Sequence, residues 1–74
     1  MPYLQIVNSV DQLIRGQKVV VGPTAASTRR GEEAVVVDFD RWGGDYDIYE
    51  AVWIRFADGT HESRSPGSLL RAVK

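Results

Sequence analysis

The sequence has no cysteine, which excludes disulfides and thiolate metal sites and suits a reducing compartment. It has one histidine, His61, so a transition-metal site would lack a second imidazole. No apolar run approaches the roughly 20 residues of a membrane-spanning helix. The opening residues M-P-Y-L-Q-I-V-N lack the basic start and apolar stretch of a signal peptide, and a cytoplasmic location is the expectation. Charge of one sign is lacking too: the formal net charge is −1, which argues against a domain whose main partner is bulk nucleic acid. There is no Walker or Rossmann glycine pattern, and Ser63 and Ser65 near His61 have neither a nucleophile elbow nor an oxyanion hole. We therefore expect no catalytic residue, no cofactor and no bound metal.

What is present is ordinary for a folded domain. Seventy-four residues make one domain, and a hydrophobic fraction of 43% is too high for a disordered chain. A chain this short buries a modest share of its surface. Without disulfides, a homo-oligomer is the open route to added stability.

The punctuation of the chain predicts short strands. Pro2 to Val7 reads as a strand. Ser9 with Gln12 three residues on is a capping-box pattern, and it predicts one or two helical turns over Ser9 to Arg15, stopped by Gly16. Lys18 to Val21 is β-branched and ends at Gly22-Pro23. Residues 24 to 31 read as a polar loop, Glu33 to Phe39 as a second strand, Arg41 to Asp47 as a glycine-containing turn, and Ile48 to Phe56 as the longest strand. Asp58-Gly59 predicts a primed hairpin turn. Thr60 to Ser65 returns as a polar strand, Pro66 to Leu69 predicts a 3₁₀ turn, and Leu70 to Val73 a last strand. Many short strands and little helix make this a mostly β domain, closed as a small barrel or sandwich.

The run V-W-I-R-F-A-D-G-T (52–60), then a polar strand, then P-G-S-L-L-R-A-V (66–73), resembles SH3-like barrels of the Tudor and KOW type over about residues 17 to 73. The resemblance implies a five-stranded SH3-like barrel over 17–74, carrying an N-terminal arm with a short helix over 1–16. The layout also resembles that of the type II dihydrofolate reductases, which are SH3-like tetramers. Their V-Q-I-Y motif is replaced here by Glu62, Ser63, Arg64 and Ser65, so their activity is not carried over.

Side chains alternate across a strand. Val52, Ile54 and Phe56 are expected in the core, joined by Val35, Val37, Phe39, Val19 and Val21 and closed by Leu69, Leu70 and Val73. Val20, Val36 and Trp53 then point outward as an apolar stripe, extended by Tyr49. Such a stripe needs a cover. One cover is the chain's own arm, through Leu4, Ile6, Val10, Leu13 and Ile14. The other is a subunit or partner.

The segment D-F-D-R-W-G-G-D-Y-D-I-Y-E (38–50) gathers Trp42, Tyr46 and Tyr49 among acids. Such aromatics act as partner hot spots, line a cage for a cation, or pack back to fix their own loop. The acids do not make a calcium loop, because Trp42 and Tyr49 stand where ligands five and twelve would be needed counting from Asp38. Arg29 and Arg30 belong to the first long loop and Arg41 to the second; two loops at one end of a barrel would make of them a basic rim for phosphates.

The expected function is a non-catalytic protein-interaction module, of a size suited to a small accessory or regulatory protein of a mobile element. Trp42, Asp45, Tyr46 and Tyr49 with the Val20–Val36–Trp53 stripe are the expected contacts, and the acids select a basic partner. A nucleic-acid-binding barrel using Arg29, Arg30 and Arg41 is the alternative. A further one is an oligomeric enzyme with a site shared between subunits, which need leave no local motif.

Overall fold

The computed structural model describes residues 3 to 73. It is a mostly β fold: one antiparallel sheet of strands β1 (Tyr3–Ile6), β2 (Lys18–Val21), β3 (Glu33–Gly43), β4 (Ile48–Phe56), β5 (His61–Arg64) and β6 (Leu69–Val73). The strand order is β1-β6-β2-β3-β4-β5, six strands among the described residues, in one sheet where a five-stranded barrel with a separate N-terminal arm was expected. The additional one is β1, which pairs along β6 from Tyr3↔Val73 to Ile6↔Leu70. No pairing joins β1 to β5 among the described residues, so the sheet curls around its core without closing.

The core follows from the curl. Val19 and Val21 of β2, Ala34 and Val36 of β3, Val52, Ile54 and Phe56 of β4 and Leu69 of β6 form one buried cluster, sealed by Val7, Leu13 and Ala25, with Val10 and Phe39 packed against it. Val7 and Leu13 belong to this same core, so the N-terminal segment is an integral part of the domain.

Strand β3 corrects the expected face assignment. Val36, placed outward in the sequence reading, is 1% exposed, whereas Val35 and Val37 are half-buried. The reason is a β-bulge: Val36 lies opposite Ile54, but the next pair is Asp38↔Trp53, leaving Val37 as an extra residue. A bulge resets the parity of a strand. Val36 before it and Phe39 after it therefore both face the core, although they are three residues apart.

Three local expectations are also revised. The helical turns over Ser9 to Arg15 shrink to a 3₁₀ turn, Val10–Gln12, with Ser9 Oγ accepting the Asp11 N–H. The chain leaves that turn because Leu13 enters the core and Gln17 must pair with β3: its carbonyl accepts the Val36 N–H at 2.9 Å, and the neighbouring Gly16 N–H donates to the Val36 carbonyl at 2.8 Å. The β4–β5 connection is not a primed turn, because among the described residues none other than glycine has positive φ. Gly59 alone sits at φ +88°, its N–H donates to the Phe56 carbonyl, and the Phe56 N–H donates to Thr60; this is a type I turn closed by a glycine bulge. The expected 3₁₀ turn before the last strand is present as Pro66–Ser68.

Candidate functional site

Strands β3 and β4 run past the core as a hairpin arm. The turn expected over 41–47 is confined to residues 44–47, because Arg41↔Glu50, Trp42↔Tyr49 and Gly43↔Ile48 remain paired. Gly43 makes this possible. It lies at φ +134°, and a Cβ there would sit 1.9 Å from the Asp47 carbonyl oxygen, a contact no side chain tolerates.

Register assigns the two faces of the arm, since directly opposed residues share a face. Arg41 and Glu50 lie on the core side. Their ion pair spans 3.2 Å, and Glu50 Oε1 also accepts the Val10 N–H at 3.4 Å, tying the arm to the N-terminal turn. The outer face carries Asp38, Asp40 and Trp42 from β3 and Tyr49, Ala51 and Trp53 from β4. Trp42 and Tyr49 stack with ring centroids 6.0 Å apart and planes 21° from parallel. The Trp53 indole N–H donates to Asp40 Oδ2 at 2.8 Å, and Ala51, between Tyr49 and Trp53, is buried. Trp42 and Tyr49 remain 55% and 53% exposed and Trp53 38%. Tyr46 adds apolar surface at the tip, beside the exposed Asp45 and Asp47, whereas the exposed Ile48, opposite Gly43, lies on the Arg41–Glu50 side.

Of the residues singled out from the sequence, the structure thus brings Trp42, Tyr49 and Trp53 onto one face, with Tyr46 and Asp45 at its end. It does not form the Val20–Val36–Trp53 stripe: Val36 is core, and Val20 lies on the outer face beside Leu70, its opposite residue on β6. The N-terminal arm covers no such stripe. Leu4, Ile6 and Ile14 are exposed, while Leu13 and Val10 serve the core. Asp40, which holds the Trp53 indole, was absent from the expected contacts. The matching parity of Asp40 with Trp42 and of Tyr49 with Trp53 was the signal that linked them.

The arginines are not gathered. Arg29 and Arg30 precede β3 and Arg41 stands near its far end. Arg29 is enclosed: Glu32 at 2.9 Å and Asp58 at 3.1 Å flank its guanidinium, Thr60 Oγ1 accepts from it, and it lies 3.8 Å over the Phe56 ring. Hydrogen bonding to Glu32, then to Asp58, raises its already high pKa further. Arg30 donates to the Ala25 carbonyl at 2.8 Å. Glu62 and Arg64, in the stretch that replaces the reductase motif, pair at 2.6 Å and tie β5 to the loop before β3, through Ser27 Oγ and the Ala26 carbonyl.

Among the described residues no three side chains of metal-ligating type converge, and no helix is long and apolar enough to cross a membrane. The fold and the site together define a small mostly β domain with an aromatic–acidic hairpin face. No protein-family model, curated protein or solved structure matches the chain.

Proposed function

We propose that this chain is a non-catalytic protein-interaction module whose contact surface is the outer face of the β3–β4 arm, and that its sheet is an SH3-like barrel extended by β1. The barrel reading is supported by the β6-β2-β3-β4-β5 order, the tight β4–β5 hairpin and the 3₁₀ turn before the last strand. The observation that carries the binding reading is the stacked, half-exposed Trp42–Tyr49 pair continued by Trp53. Tryptophan and tyrosine are enriched at binding hot spots, and rings already held in place lose little freedom on docking. Asp40 lies on this face, Asp38 shares it in an ion pair with Arg15, and Asp45 and Asp47 stand exposed at its tip, so the partner this face suits is a lysine- or arginine-bearing segment. Its cations would lie over the rings and its charge would meet the acids. The nucleic-acid alternative has less support, because Arg29 and Arg41 already hold carboxylates.

The test is a panel of lysine- and arginine-rich peptides, with glutamate-rich controls, titrated while tryptophan fluorescence is followed. Basic peptides should bind, more weakly as salt is raised. Trp42→Ala should weaken binding by about thirtyfold, the scale of a hot-spot residue, with the thermal midpoint nearly unchanged. Equal binding by the variant, or a large loss of its stability, contradicts the reading.

A further inference from the structure

The two free edges of the sheet are built differently. An unpaired edge presents backbone donors and acceptors to any passing strand, and proteins guard such edges with charge, proline or bulges. The β5 edge, His61-Glu62-Ser63-Arg64, is guarded by ionisable side chains. The β1 edge, Tyr3-Leu4-Gln5-Ile6, has neither charge nor proline nor bulge. Leu4 and Ile6 are 49% and 55% exposed, and nothing pairs with the outer side of β1 among the described residues.

The direction of its backbone groups is fixed by a single bond. The Val7 N–H donates to the Leu69 carbonyl at 3.0 Å. In an antiparallel pair alternate residues point to opposite sides, so Tyr3 and Gln5 face β6 with Val7, while Leu4 and Ile6 turn their N–H and C=O groups to the open edge. The next residue of that parity, Asn8, gives its N–H to Gln12 Oε1 at 2.7 Å. Among the described residues the open edge therefore consists of Leu4 and Ile6.

We propose that this edge pairs with the β1 edge of a second copy, antiparallel, about a twofold axis through Gln5. In that register Leu4 lies opposite Ile6 of the second copy, and both exchange their outward backbone hydrogen bonds. The axis is perpendicular to the sheet, so outer face meets outer face. Leu4 and Ile6 of both copies then form one apolar cluster, continuous with Ala72 and Leu70, which stand opposite them on β6, and with Val20 beyond. A second copy fits better than an unrelated strand because the contact is isologous and uncharged: the same short segment supplies both sides without bringing like charges together. Four-residue strands bury less than the roughly 1,200 Å² of a standard interface, so the dimer is weak and concentration-dependent. It leaves the β3–β4 arm free, since the arm lies at the other side of the strand order.

The experiment is sedimentation equilibrium from about 10 µM to about 1 mM, the range for a small interface, combined with amide exchange. The mass should rise toward that of two chains. Protection of the Leu4 and Ile6 amides should increase about tenfold across the range, while Val7 stays protected throughout. Leu4→Lys and Ile6→Glu should each remain monomeric with an unchanged thermal midpoint, both sites being exposed. An equimolar mixture of the two variants should associate again, because lysine then faces glutamate across the axis. A wild type that is monomeric over the whole range overturns the proposal. So does association that persists in Leu4→Lys, including association abolished instead by Trp42→Ala.

Discussion

Asp58 shows how single side chains hold the turns of this domain. Its carboxylate accepts from the Thr60 hydroxyl and N–H and from Arg29, and these bonds pull its pKa from 3.8 to about 2. A carboxylate whose folded pKa lies below its unfolded one adds stability above the unfolded value and loses that contribution as pH falls through the folded one. The thermal midpoint should therefore drop between about pH 4 and pH 2. Asp58→Asn, which has no such titration, should show a smaller drop over the same window. Parallel curves for the two proteins would mean that Asp58 does not carry this dependence. Asp38 adds in the same direction, its pKa lowered by the Phe39 N–H and then by Arg15. Both groups are exposed, so their effect is read best as a difference in slope. Gly43 acts at the same scale but through space: without a glycine there, the arm could not turn so late, and Trp42 would have no opposite ring.

Among the elements, β3 is where a local pattern and the folded strand part. In β4 the alternation of Val52, Ile54 and Phe56 runs unbroken, and it names the core face without help from the fold. In β3 the run Ala34 to Phe39 holds apolar residues at both parities, and nothing local says that Val37 is the extra one. That choice is made across the sheet, where Ile54 and Trp53 must find partners. Deleting Val37 should therefore leave Val36 opposite Ile54 and Asp38 opposite Trp53, now in regular alternation. The variant should fold with its Trp42–Tyr49 contacts intact by nuclear Overhauser effects, and with a stability loss of about 1–3 kcal/mol from lost packing and the changed twist. Loss of the Trp42–Tyr49 contacts would show that the bulge sets the register instead of absorbing a residue. The turn at residues 44–47 was hidden for a related reason. Paired glycines predict where a chain is able to turn, whereas cross-strand pairing of Arg41 with Glu50 and Trp42 with Tyr49 decides where it does.

For the whole molecule, the mostly β class, the succession of strands along the chain and the 3₁₀ turn before β6 were legible, because turn residues and β-branched runs act locally. The position of the N-terminal segment was not. Whether Leu4 and Ile6 cover a face or extend an edge depends on β6, more than sixty residues away in the chain. The candidate site was legible in its composition, with Trp42 and Tyr49 named among their acids, but not in its geometry. Alternation alone puts Asp40 and Trp53 on the outward parity, but bringing them within hydrogen-bonding distance required the β3–β4 register, and finding Arg29 enclosed required the β4–β5 turn to lie beside it. What emerges is a sheet with three distinct borders: a charged edge at β5, an uncharged edge at β1, and a projecting arm whose outer face is aromatic and acidic.

The most direct measurement of the arm's role is a ¹H–¹⁵N titration of the labelled protein with the strongest-binding basic peptide. The account predicts that shifts concentrate on the backbone of Trp42, Tyr49 and Ala51 and on the indole N–H groups of Trp42 and Trp53. Shifts centred instead on the groove at the far end of the sheet, beside Lys18, Val35 and Arg55, or an unperturbed arm at saturation, would contradict it.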